Sequence, residues 1–225
     1  QAGCVGTRLF AALIPPDDVR EHLDGFLESR RDAADFRWTP AEHFHVTLAF
    51  CPDVADDRVD DYVDRLAEGL ERTPVPDIRL ADPAPFPDAA ATKALAVGVR
   101  PVSEGADVVL ERMAGRARNA AVQAGTTVDG QRFRPHVTVA RLRRPADTTD
   151  WVRLLETYAG PDWPVFEVAV VGVPDDRWGE RPKAFVILRA GQSAEPDAII
   201  EHVKGAIARY KAPRDVEIVE ELPKT

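Results

Sequence analysis

A chain of 225 residues, 44% apolar and 30% charged, has room for one large or two small globular domains. Its formal charge of −9 argues against broad binding along a nucleic acid backbone, which needs a cationic surface, but allows a small anion held by a local basic patch. Cys4 and Cys51 show neither a CxxC nor a metal-binding spacing, so a reducing, cytoplasmic setting is expected, and no apolar run approaches the length of a membrane span.

In chain order, Thr7–Leu13 is an apolar run closed by Pro15-Pro16 and reads as a strand. Asp17 to Arg31 has helical spacing at Val19, Leu23, Phe26 and Leu27, with Asp17 or Asp18 as N-cap. Arg37-Trp38-Thr39-Pro40 reads as a turn into a strand from Phe44 to Phe50. A helix is expected from Arg58 to Glu71, a short strand near Ile78–Leu80 and another over Leu95–Val99. Glu104 to Gly125 is a long helix, a further strand starts near His136, and Asp147 to Tyr158 is again helical. Beyond Trp163, strands are expected at Phe166–Val171, Lys183–Leu188 and Val216–Val219, with a helix at Asp197–Arg209 that carries His202. The order strand–helix–strand thus occurs twice. It predicts an α+β fold of two pseudo-symmetric lobes, antiparallel sheets flanked by helices, with a cleft between them.

The peptide His45-Val46-Thr47-Leu48-Ala49 returns as His136-Val137-Thr138-Val139-Ala140, differing at one apolar position. In an extended strand His45 and Thr47 share one face and Val46 and Leu48 the other, and the second copy repeats this. A single His-x-Thr is most often a packed strand histidine; the repetition points instead to chemistry. Two imidazoles facing one phosphorus can serve as general acid and general base, because a pKa of about 6.5 lets both forms exist near neutrality. Thr47 and Thr138 can donate to non-bridging phosphate oxygens, and the arginines around the second copy (Arg132, Arg134, Arg141, Arg143 and Arg144) can offset charge there. Neither a metal nor a cofactor is required. His22 and His43 have no partner copy and are expected to be structural or exposed.

With these motifs the chain to about residue 165 resembles the two-histidine phosphoesterase family, in its RNA 2′,3′-cyclic phosphodiesterase branch. The likeness rests on Arg8-Leu9-Phe10-Ala11-Ala12-Leu13, on Arg37-Trp38-Thr39-Pro40 with the first repeat, and on Phe133-Arg134-Pro135 leading into the second repeat and Arg141. It implies opening of a 2′,3′-cyclic phosphate at an RNA end to leave a 2′-phosphate, with His45 as proton donor and His136 as proton acceptor. It also makes Arg141 a phosphate-holding residue. Strict alternation puts Arg141 on the face opposite His136, so the strand must end or bulge before it. Phe50 has the parity of Val46 and Leu48 and is expected in the core; Cys51-Pro52 is expected to form a loop at the cleft rim.

From about Glu167 the sequence resembles the C-terminal lid domain of adenylate-forming acyl-CoA synthetases, through Val170-Val171-Gly172-Val173-Pro174-Asp175, Trp178-Gly179-Glu180 and Glu221-Leu222-Pro223-Lys224-Thr225. That family's catalytic lysine lies just beyond the last of these motifs, so no adenylating activity is expected of these residues. The organisation expected is a two-lobed phosphoesterase domain over 1–165 and a fused partial lid segment over 166–225, a small α/β appendage whose first strands could complete the phosphoesterase sheet. The expected ligand is an RNA end or nucleotide bearing a 2′,3′-cyclic phosphate, bound by a monomer away from any membrane. A hydrolase of small cyclic phosphates and a non-catalytic module that retains RNA ends are the alternatives.

Overall fold

The computed structural model describes residues 7–130, 132–173, 184–186 and 216–218. In chain order the elements are β1 (Thr7–Leu13), α1 (Asp17–Glu28), β2 (Arg37–Trp38), β3 (Val46–Val54), α2 (Asp56–Leu70), β4 (Asp77–Pro83), β5 (Thr92–Pro101) and α3 (Ala106–Gln123). They continue with β6 (His136–Ala146), α4 (Thr149–Leu155), β7 (Ala159–Pro164), β8 (Val168–Val173), β9 (Ala184–Val186) and β10 (Val216–Ile218). The main sheet runs β7-β4-β5-β6-β3-β1-β8, with β2 hydrogen-bonded to β6 off that path. All of its pairings are antiparallel.

The duplication is visible in that order. β3 and β6 sit at the centre, β1 and β5 flank them, and β8 and β4 lie next out, so each half contains three equivalent strands with a His-Thr strand innermost, and β7 adds an edge strand beyond β4. The halves meet through one aligned pair, Val46 opposite Val137, and both of these valines are fully buried. The helices lock the halves together by crossing over. α1 follows β1 but packs on β7, where His22 and Phe26 reach Tyr158; α3 follows β5 but packs on β3 and α2. One continuous apolar core results, joining Leu13, Leu23 and Leu48 from one half to Leu80, Leu95 and Leu110 from the other.

Local sequence explains the helices. α1 buries Val19, Leu23 and Leu27, spaced four apart on one face, with Asp17 and Asp18 in the first turn where a helix favours negative charge. α3 presents Ala114, Ala117, Ala120 and Ala121, small side chains that allow close approach to its neighbours, around Leu110 and Met113. It ends where Gly125 takes φ +78°: the amide of Gly125 donates to the Val122 carbonyl and that of Thr126 to the Ala121 carbonyl, a paired closure that a left-handed residue permits.

Several expectations change. Arg37-Trp38 is not a turn but a two-residue strand on β6. Cys51 and Pro52 form no rim loop: they lie inside β3, and Cys51 is fully buried, which pushes its thiol up to about 11. β7 was hidden behind Gly160-Pro161-Asp162, a composition that reads as a turn. β8 pairs with β1 from Val168 opposite Leu13 to Val173 opposite Arg8, whereas β9 pairs in parallel with β10 in a separate two-stranded sheet. The helix expected at Asp197–Arg209, with His202, and Cys4 lie outside the described residues. No helix among the described residues is long and apolar enough to cross a membrane.

Candidate active site

Both central strands keep their alternation over the His-Thr peptides and then break it at the same place. His45 and Thr47 are half-buried while Val46 and Leu48 are buried; His136 and Thr138 are half-buried while Val137 and Val139 are buried. Next, Leu48 and Ala49 are buried in succession, as are Val139 and Ala140, because each strand carries one extra residue there. In the first half the register with β1 shifts between Ala11 opposite Ala49 and Ala12 opposite Thr47. In the second, the register with β5 shifts between Leu95 opposite Ala140 and Ala96 opposite Thr138. A bulge inverts parity for everything beyond it.

Consequently the sixth residue of each repeat, Phe50 and Arg141, turns onto the histidine face. For Arg141 this is the bulge that its expected role required. For Phe50 it overturns the core assignment: Phe50 is half-buried and pairs with Phe10, whose ring stacks on the His45 imidazole at 4.6 Å. Residues directly opposite in an antiparallel pair share a face, so Phe10, Phe50 and His45 lie together.

Antiparallel register continued one step either way from Val46 and Val137 places His45 across from Thr138 and Thr47 across from His136. The two histidines are then diagonal neighbours, with backbones about 7–8 Å apart in a regular ladder. Each ring is held identically. His45 Nδ1 donates to the carbonyl of His43 at 2.7 Å, and His136 Nδ1 donates to that of Arg134 at 2.6 Å. A carbonyl can only accept, so Nδ1 carries the proton in both, and in the neutral ring Nε2 keeps its lone pair. The Thr47 and Thr138 hydroxyls have no hydrogen-bond partner among the described residues, leaving both able to donate to a ligand.

Electrostatics treat the pair alike. Burial is the main force holding the His45 pKa below 6.5; the His43 carbonyl opposes it, and the charges of His136, His43 and Arg141 reinforce it. Burial likewise lowers His136, opposed by the Arg134 carbonyl and reinforced by Arg134 and Arg141. The two imidazoles therefore sense Arg141 in common, and His45 senses His136 directly.

The sequence reading missed a second aromatic buttress. The Phe86 ring packs on His136 at 4.4 Å, as Phe10 packs on His45, and the Arg134 guanidinium covers Phe86 at 4.4 Å. Phe86 lies in a proline-rich connection without strand periodicity, so only the fold could reveal it. Beside it opens a pocket of about 450 Å3 lined by Asp82, Phe86, Gly98, Phe133, Arg134 and His136. His22 lies apart from this face, its Nδ1 3.2 Å from the Tyr158 hydroxyl.

Residues 15–177 match the family model described as the 2′-5′ RNA ligase superfamily, and residues 157–225 match that of the AMP-binding enzyme C-terminal domain. The fold is similar to that of E. coli LigT complexed with 3′-AMP, at a TM-score of 0.59 and 22% identity over 80% of this chain and 95% of that one. It is similar too to TT0787 of Thermus thermophilus, at a TM-score of 0.58 and 24% identity, covering 80% of this chain and 94% of the other. Among curated proteins, probable acyl-activating enzyme 8 of Arabidopsis thaliana is 51% identical over 63 residues, 27% of this chain; the chain spans only 12% of that relative's length.

Proposed function

Since this chain belongs to the 2′-5′ RNA ligase superfamily, we propose that it hydrolyses a terminal 2′,3′-cyclic phosphate on RNA to a 2′-phosphomonoester by acid/base catalysis between His45 and His136. The observation that carries this reading is the mirrored pair of imidazoles, each with Nδ1 donating to its own strand and Nε2 left for a ligand, beside a shared Arg141.

In the proposed step, His136 Nε2 takes a proton from water as the water oxygen bonds to phosphorus. The phosphorus–O3′ bond breaks, and His45, entering as the imidazolium, gives its Nε2 proton to the departing O3′. A 2′-phosphate and a free 3′-hydroxyl remain, and proton transfer to solvent and back resets the pair. Thr47 and Thr138, across the ladder from the opposite histidine, hydrogen-bond the non-bridging oxygens, and Arg141 offsets their growing charge. Phe10 and Phe86 fix the ring planes from outside. The donor and acceptor assignments come from the family resemblance, because the two environments are nearly equivalent.

We read residues 166–225 as a partial acyl-activating C-terminal segment whose first strand, β8, serves as the counterpart of β4. The overlap of the two family matches over 157–177 and the full pairing of β8 with β1 support this.

The test is incubation with an oligonucleotide ending in a 2′,3′-cyclic phosphate, with and without EDTA, and identification of the product. A 2′-phosphate formed equally in both is expected, with His45→Ala and His136→Ala each slower by about 10²–10⁴. Undiminished turnover in the double variant would remove the basis of the proposal.

A further inference from the structure

The main sheet sets arginine opposite arginine twice, with different outcomes. On β4 and β5, Arg79 is opposite Arg100. Each is neutralised by its own carboxylate, Arg79 by Asp162 at 2.6 Å and Arg100 by Asp82 at 2.5 Å. On β2 and β6, Arg37 is opposite Arg141, both are exposed, and neither has a carboxylate partner among the described residues.

Like charges facing each other across a ladder destabilise it. In a chain of net charge −9, carboxylates are plentiful, yet neither of these guanidiniums is ion-paired to one among the described residues. Arg143, further along the same strand and also exposed, adds another cation to this end of β6. These cations start at the histidines, since both of them sense the charge of Arg141, and they lead away from them along β6 on the side that β2 borders.

We propose that Arg37 and Arg143 form a second anion subsite, which binds the phosphodiester next to the reacting end of an RNA strand. The inference rests on the reading that the reacting phosphate lies between the histidines with Arg141 on it. Arg141 then holds the terminal phosphate, Arg37 across the ladder holds its neighbour, and the repulsion between the two guanidiniums is relieved by the bound strand. Guanidinium forks suit phosphate oxygens, and exposed side chains on a strand can follow a flexible backbone without reading bases. A mononucleotide can fill only the first subsite, so the protein selects strands over single nucleotides.

The experiment measures equilibrium binding of a 2′-phosphorylated mononucleotide and a 2′-phosphorylated tetranucleotide to the full chain, with turnover of the corresponding cyclic phosphates measured in parallel. The tetranucleotide should bind at least about tenfold more tightly, as one charge-assisted contact warrants. Arg37→Gln and Arg143→Gln should each remove most of that gain, and Arg37→Lys should retain it. The slope of log affinity against log salt for the tetranucleotide should fall by about 0.7 for each charge removed. Equal affinities in the unaltered protein, or a gain that survives Arg37→Gln, would overturn the subsite. A gain matched by a 2′-phosphorylated mononucleotide carrying a 5′-pyrophosphate would overturn the strand in favour of a small dinucleotide-like ligand. If the affinities follow the expected pattern while neither cyclic phosphate is opened, the subsite stands and the hydrolytic reading falls.

Discussion

Binding of a phosphomonoester between His45 and His136 should draw protons from solution, and the size of that uptake tests the geometry directly. In the free protein both imidazoles are held below 6.5, by burial first and then by neighbouring positive charge, so at pH 7 both are largely neutral. A unit negative charge about 4 Å from an imidazolium, at an effective dielectric of about 20, stabilises it by roughly 4 kcal/mol. At 1.36 kcal/mol per pK unit this is about three units of upward shift, opposing the depression of the free rings. A phosphate in contact with both rings should therefore bind with proton uptake at pH 7, of up to two protons, shared with the phosphate's own second ionisation. Affinity should weaken with rising pH, by up to about tenfold per unit for each proton, between the free and bound pKa values. Titration calorimetry with a nucleoside 2′-phosphate, in buffers of different ionisation enthalpy, reads the uptake as a slope. His45→Gln or His136→Gln should reduce it by up to one proton and the double variant should abolish the histidine share. Binding with no slope, or with the same slope in the double variant, would mean that the phosphate does not sit between these rings.

Arg141→Gln should lower kcat/KM by about 10–100-fold, the loss expected for one charge-assisted contact of about 1.5–3 kcal/mol, measured with a cyclic-phosphate oligonucleotide. Acid sensitivity should trace to the same pair. With folded-state histidines below 6.5, the unfolded chain binds more protons between the depressed values and 6.5, so stability is full above 6.5 and is lost as pH falls through that window. The double His→Gln variant should show a smaller drop in Tm over that range by calorimetry. Leu110→Ala, at a buried position of α3, should cost about 2–5 kcal/mol in a denaturant titration. Because α3 packs on β3 of the other half, a single cooperative transition should be retained rather than one half unfolding alone.

Periodicity and repetition were enough to recover the α+β class, the two-half organisation, and the His45/Thr47 and His136/Thr138 faces, because alternation along a strand is a property of the strand itself. The same local rule misplaced Phe50 and could only state a condition for Arg141. Whether a strand carries an extra residue depends on its neighbour, here β1 for one repeat and β5 for the other. Pairing Val46 with Val137 set the diagonal relation of the histidines, and it joins segments 91 residues apart (137 less 46) with no local signal of their alignment. The buttressing of His136 by Phe86 and the opposition of Arg37 to Arg141 are likewise products of the assembled sheet. The paired histidines and threonines were legible along the chain because they recur. The face each one occupies was decided in three dimensions, because a bulge or a register is an agreement between two strands rather than a property of either.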